Sequence, residues 1–146
     1  FHVKASFLEI YNETLRDLLI PDDMQSGKLT IRRDEYGRTF VDGLSCVDVD
    51  STDESKGMEQ LSTLMSVAAQ SRSVALTKMN TESSRSHTVF ILDILGFNED
   101  AGTIITGSLN LCDLAGSERL KRSKIDVASP ERLKETQAIN KSLSSL

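Results

Sequence analysis

"TVFILDILGFNEDAGTIITGSLNLCDL", residues 88–114, holds two apolar runs separated by a short polar break. TVFILDIL is rich in β-branched residues, TIITGSLNLCDL has the same character, and NEDAG between them (98–102) supplies turn-forming residues. The pattern predicts two neighbouring strands joined by a short connection. If they run antiparallel, the start of the first lies beside the end of the second. Two polar segments then share one rim of a sheet: NTESSRSH (80–87) before the first strand, and DLAGSE (113–118) at the end of the second. Open α/β sheets bind ligands at such rims.

The side chains there suit a nucleoside triphosphate. Asp113 can accept hydrogen bonds from water on a divalent cation. Gly116 has no side chain, so its N–H can come close to a terminal phosphate. Ser83 and Ser84 offer small hard-oxygen groups for a cation or an attacking water. Arg85 and Glu118 can pair when both segments close on the phosphate, which would make a two-state gate. Each feature alone has a plainer reading. Asp-x-x-Gly after a strand is common, a serine-rich loop is commoner, and a lone arginine is ordinarily a surface cation. His87 reads as a loop histidine bonded to backbone rather than a general base. No serine nucleophile with an acid-oriented histidine is visible.

The 146 residues, 38% hydrophobic and with two prolines, fit one folded domain with a core. No apolar run approaches the length of a membrane span and no signal segment is visible. Cys46 and Cys112 sit in apolar strands, which predicts two buried thiols in a reducing compartment. No cysteine–histidine spacing resembles a metal site. Net charge is −5. Residues 1–118 carry 10 Lys/Arg against 19 Asp/Glu, whereas 119–141 carry 7 against 3. An acidic body with one basic segment argues against a general nucleic-acid binder and leaves room for contact with an acidic partner.

Along the chain, VKASFLEI reads as a strand. NETLRDLL reads as a short helix capped by Asn12, with Leu15, Leu18 and Leu19 at helical spacing. LTIRRDEYGRTFV reads as two short strands around a turn, and LSCVDV as a further extended piece. Ser51 with Glu54 suggests a capping box opening a helix whose core stripe is Met58, Leu61, Leu64, Met65, Ala68 and Ala69, ending near Gln70. A last helix opens at Ser129 and Pro130, with Leu133, Ile139, Leu143 and Leu146 on its buried side. Its pattern has no closing signal, so a fragment of a longer fold is expected.

Four stretches, SFLEIYNETLRDLL, SRSVALTKMNTESSRSH, LNLCDLAGSER and RLKETQAINKSLSSL, occur in the order and at the spacing of the kinesin motor domain, and the sequence is identified as a member of that family on them. ILGFNED and SERL (117–120) lean toward the C-terminal-motor kinesins. The resemblance implies an α/β fold: residues 1–146 as part of the kinesin motor fold, a P-loop NTPase-like central, mostly β sheet flanked by helices. It implies an ATP-dependent microtubule motor, a microtubule-stimulated ATPase with ATP and Mg2+ at its site. Asn80, Ser83, Ser84 and Arg85 resemble switch I, with Ser84 the metal-side hydroxyl. Asp113, Gly116 and Glu118 resemble switch II: Asp113 on the Mg2+ shell, Gly116 sensing the γ-phosphate, Glu118 pairing with Arg85 and relaying a proton. Ser83, Arg85, Gly116 and Glu118 are thus the catalytic set.

By the same resemblance Arg119, Lys121, Arg122 and Lys124 form the loop that approaches tubulin. Asn140, Lys141 and Leu143 lie on the relay helix, with Lys141 a further microtubule contact. The basic charge of that loop agrees with an acidic microtubule surface. The implied setting is the cytoplasm and cytoskeleton, including the mitotic spindle, with dimerisation by coiled coil outside these residues and neither nucleic acid nor membrane as partner.

Two departures stand out. No G-x-x-x-x-G-K-[ST] phosphate loop occurs, so the phosphate-loop part is expected upstream and further elements downstream. RLKRSKIDVASPERLKE (119–135) lacks the family's glycines and carries Pro130, which stiffens the connection between Gly116 and the relay helix. The alternative reading is a non-catalytic kinesin-like module that grips microtubules or a partner; a degraded phosphate loop upstream would favour it. The isolated chain is expected to lack ATPase activity and to aggregate through exposed sheet edges.

Overall fold

The computed structural model describes residues 1–25, 27–79, 86–116, 134, 137, 138, 140 and 141. Among them the chain forms β1 (His2–Tyr11), β2 (Thr14–Asp17), a 3-10 turn at Asp22–Met24, β3 (Thr30–Arg33), β4 (Thr39–Asp42), β5 (Val47–Val49), α1 (Glu54–Met79), β6 (His87–Asn98) and β7 (Thr103–Asp113). The main sheet has the order β2-β1-β6-β7, with β5 also pairing to β1. Every pairing in it is antiparallel. β3 and β4 form a separate hairpin around the predicted Asp34–Tyr36 turn, closed at Gly37 with φ 79°.

Helix α1 lies on one face of the main sheet. Ala5, Phe7, Leu18, Val49, Ala68 and Phe90 form the buried cluster, with Val3, Leu19, Leu61, Leu64 and Leu92 packed against it. Phe7 and Phe90 are register partners, and their rings stack at 4.7 Å between centroids, a cross-strand pair worth about 0.5–1.5 kcal/mol beyond its buried area. Gly57 lets α1 start against the strand layer: a Cβ there would collide with the Asp50 carbonyl.

The β6–β7 ladder runs unbroken from Thr88↔Asp113 to Asn98↔Thr103, so the antiparallel expectation holds. Other expectations are corrected. NETLRDLL is not a helix: Tyr11 pairs with Thr14 across a two-residue loop in which Asn12 (φ 47°) and Glu13 (φ 61°) are both left-handed, as a type I′ hairpin turn requires. The leucine spacing lost to strand pairing, because Leu15 continues a ladder on the open edge of β1.

The helix cap is Asp53, not Ser51: Asp53 Oδ1 accepts the Lys56 N–H at 3.2 Å, while the Ser51 hydroxyl donates to the Phe1 carbonyl. Helix α1 also runs past Gln70 to Met79. Its inward stripe is narrower than expected, with Met58, Met65 and Ala69 exposed. Only one side of α1 meets the sheet, along Gly57, Leu61, Leu64, Ala68 and Arg72. Both cysteines are exposed rather than buried, since Cys112 lies on β7 and Cys46 on the face away from α1. Lys134, Gln137, Ala138, Asn140 and Lys141 are helical, as the last predicted helix requires; its proposed start and its apolar side lie outside the described residues.

Candidate functional site at the sheet rim

The rim where β6 begins and β7 ends is built by register. Arg16 pairs with Glu9, Glu9 with Thr88, and Thr88 with Asp113. Four strands therefore present one row of polar side chains on the α1 face, one step beyond the Phe7–Phe90 pair.

Arg72, one turn past Ala68 on α1, lies across this row. Its Nη1 donates to Asp113 Oδ2 at 3.0 Å, its Nη2 to Ser86 Oγ at 3.5 Å, and its Nε stands 3.8 Å from Glu9 Oε1. Arg16 approaches Glu9 Oε2 from the other side at 3.2 Å and also donates to the Ser71 carbonyl. Glu9 is only 4% exposed, whereas the Asp113 side chain is 72% exposed. A buried carboxylate is tolerated only when paired, and two guanidinium groups serve Glu9.

A second link joins the two polar segments directly. His87 Nδ1 accepts the Ala115 N–H at 3.0 Å, with both residues buried. The histidine thus meets a backbone group, as expected, from the first position of a strand rather than from a loop. The bond fixes the backbone between Asp113 and Gly116. Gly116 is exposed, and among the described residues a Cβ on it would meet nothing within 4 Å.

Of the residues expected at the site, Asp113 and Gly116 stand together at this rim. Lys141, expected on the relay helix as a microtubule contact rather than at this rim, donates its ammonium to Glu13 Oε1 at 2.7 Å, at the β1–β2 turn. Asn80, Ser83, Ser84, Arg85, Glu118, Arg119, Lys121, Arg122 and Lys124 lie outside the described residues. Arg72, Glu9, Arg16 and Ser86 were not singled out from the sequence. A signal for Arg72 existed, since 57, 61, 64, 68 and 72 follow helical spacing. It was hidden by ending the helix at Gln70.

The only share Asp113 could give a cation is one exposed carboxylate, whose Oδ2 already meets Arg72. Among the described residues no group of three or more His, Cys, Asp or Glu gathers to hold a metal, so Asp113 offers a single open carboxylate. That is the usual protein share of an Mg2+ site completed by water and phosphate oxygens. A cavity of about 680 Å³ lies elsewhere, on the opposite face of the sheet under the β3–β4 hairpin, and none of the candidate residues lines it. Among the described residues no helix is long and apolar enough to cross a membrane.

An antiparallel sheet covered on one face by α1, with two polar segments bonded together at one rim, sets the class: a helix-backed α/β sheet with a polar rim. Comparison with known proteins makes the family plain. The family described as "Kinesin motor domain" matches residues 1–146, and the chain belongs to it. The chain is 52% identical over 151 residues to Kinesin-like protein KIN-14N of Oryza sativa subsp. japonica, covering 100% of this chain and 19% of that protein. Two solved structures share the fold. The C-terminal motor and motor homology domain of Kar3Vik1, fused to a synthetic heterodimeric coiled coil, is 39% identical with a TM-score of 0.77, covering 99% of this chain and 34% of that one. A fast kinesin, described with implications for ATPase mechanism and interactions with microtubules, is 38% identical with a TM-score of 0.79 over 99% of this chain and 37% of that one. The lean toward C-terminal-motor kinesins agrees with the KIN-14 and Kar3 relatives. The chain spans about a fifth of its curated relatives and little more than a third of these solved chains.

Proposed function

We propose that the protein to which this chain belongs is an ATP-driven microtubule motor, and that the rim at the start of β6 and the end of β7 is the part of its catalytic site that senses the terminal phosphate. The observation that carries the reading is the buried bond from the Ala115 N–H to His87 Nδ1. It ties His87, the last residue of NTESSRSH, to the residue just before Gly116, so the start of β6 and the stretch after β7 are held side by side.

In this reading Asp113 holds water on Mg2+, which supplies charge neutralisation at the phosphates of the ATP substrate when bound. Gly116 presents its N–H toward the γ-phosphate. Ser84 is the metal-side hydroxyl, Asn80 lines the nucleotide, and Ser83 holds the attacking water. Arg85 and Glu118 close as a pair, and Glu118 relays the proton. Positioning and electrostatics then supply most of the catalysis, as in phosphoryl transfer generally. Arg119, Lys121, Arg122, Lys124 and Lys141 meet the acidic microtubule surface, and movement of the helix bearing Lys141 couples the two sites. The isolated 146 residues lack activity. Dimerisation through other segments, and residence on the cytoskeleton including the spindle, complete the proposal.

Replacing Glu118 with Ala in the complete motor tests it. ATP binding is retained while microtubule-stimulated turnover falls by about 100-fold or more, the scale of a lost acid–base group. Unchanged steady-state turnover would overturn the assignment.

A further inference from the structure

We propose that Glu9 is a positioning residue for Asp113, acting through Arg72 and braced by Arg16. The inference rests on the reading of Asp113 as the carboxylate beside Mg2+ and adds a control element that reading lacks.

The row Arg16, Glu9, Thr88, Asp113 crosses four strands, and the two carboxylates in it are separated by one strand. Thr88, on that intervening strand, offers no link: its Oγ1 is buried without a hydrogen-bond partner among the described residues. The link is made from above by Arg72, whose Nε stands 3.8 Å from Glu9 in an ion pair without a hydrogen bond and whose Nη1 donates to Asp113 at 3.0 Å. A guanidinium is planar and rigid, so the attraction of Glu9 on its Nε side biases the direction of its Nη1 side. Glu9 is held in turn, because Arg16 grips its second oxygen and also bonds the carbonyl of Ser71, the residue before Arg72. Arg16 thus anchors both the carboxylate and the helix turn that carries Arg72.

Charge gives the direction of the effect. Two arginines face two carboxylates, and the charge of Glu9 offsets part of the Arg72 charge on its Nε side. Once Glu9 is neutral, Arg72 draws more fully onto Asp113 and leaves excess positive charge beside it. Both changes make the Asp113 carboxylate a poorer partner for a hydrated cation.

The test uses the complete motor and follows release of a fluorescent ADP analogue while free Mg2+ is titrated. Glu9→Gln raises the Mg2+ concentration needed for half-maximal nucleotide retention by about 10-fold, the scale seen when a group that orients a metal partner is lost. Arg16→Gln leaves Glu9 charged and facing Arg72 alone, so Arg72 turns toward Glu9 and the midpoint moves the opposite way by a smaller factor, while Glu9→Asp restores part of the Glu9→Gln shift. A purely structural role would lower the melting temperature without moving the Mg2+ midpoint. Asp113→Asn is the reference. If it shifts the midpoint while Glu9→Gln and Arg16→Gln do not, the inference fails and the reading of Asp113 stands. If Asp113→Asn leaves the midpoint in place, the reading of Asp113 fails and the inference falls with it. Should Glu9→Gln not fold, Arg16→Gln decides alone.

Discussion

β1 and β7 are strands of nearly equal length, 10 and 11 residues, with a similar mix of apolar and small side chains, yet they live in different environments. Residues Ala5 to Glu9 of β1 are all buried, whereas all of β7 is exposed. The difference is one of neighbours. β1 is bordered by β2, β5 and β6 and lies under α1, while among the described residues β7 pairs only with β6. Layers, not composition, bury a strand. The same contrast reverses the usual placement of polarity: buried β1 carries a glutamate, and exposed β7 carries Ile104, Ile105, Leu109 and Leu111.

Truncating a core side chain on β1 is the sharpest way to challenge this contrast. Phe7→Ala in the complete motor removes one half of the stacked pair and costs about 3–5 kcal/mol in urea unfolding. Leu111→Ala on β7, half exposed, costs less than about 1 kcal/mol. Equal losses would erase the distinction. A Leu111→Ala cost above about 2 kcal/mol would show that another segment covers β7.

Beside β1, Asp17 is 2% exposed and accepts the Leu19 and Ser45 N–H groups, each at 2.8 Å. Asp17→Ala abandons both, at a cost of about 3 kcal/mol; a change within the error of the unfolding curve would mean that water replaces the carboxylate.

Two glycines extend the comparison to smaller effects. Gly57→Ala drives a methyl into the backbone carbonyl of Asp50 and costs about 1–3 kcal/mol. Gly96→Ala also creates a close contact, 2.7 Å from the Phe1 ring, but that ring is 80% exposed and can turn away. Its cost stays within about 0.5 kcal/mol, and a larger loss by thermal melting would show that Phe1 is held in place.

The smallest effect belongs to the Glu13–Lys141 pair, which joins the β1–β2 turn to the last helix in full solvent. The hydrogen bond and charge of Lys141 hold the Glu13 carboxyl below its ordinary 4.5, and the same bond and charge from Glu13 raise Lys141 above 10.5. The Glu13 contribution is present above pH 4.5 and is lost as pH falls through its lowered value. The Lys141 contribution is present below pH 10.5 and is lost as pH rises through its raised value. Glu13→Gln therefore leaves the melting temperature nearly unchanged at pH 7 and flattens a small acid-side decline below pH 4.5. Salt at 1 M in the parent protein mimics the substitution. A large shift at neutral pH would contradict the exposed character of the pair.

Much of the sheet was legible because local patterns agreed with it. The 88–114 segment carried strand-forming residues on both sides of a turn, and its hairpin required no distant partner. The place of Asp113 and Gly116, at the polar end of an apolar strand, was legible for the same reason. NETLRDLL was misread because Leu15, Leu18 and Leu19 satisfy helical spacing, while the left-handed turn at Asn12 and Glu13 carries no glycine to announce it. Glu9 and Arg72 were overlooked because nothing local distinguishes a paired buried charge from a solvated one. Their partners lie 63 and 41 residues apart along the chain.

Short-range periodicity and turn chemistry are enough to encode the strands of the β6–β7 hairpin, the helix that covers the sheet and the two polar segments flanking the hairpin. Only the tertiary structure decided that Arg16, Glu9, Thr88 and Asp113 form one row, that Arg72 bridges it, and that His87 bonds Ala115. Register fixes which distant residues stand side by side, and register is set by packing the whole sheet against α1 rather than by any one stretch of chain.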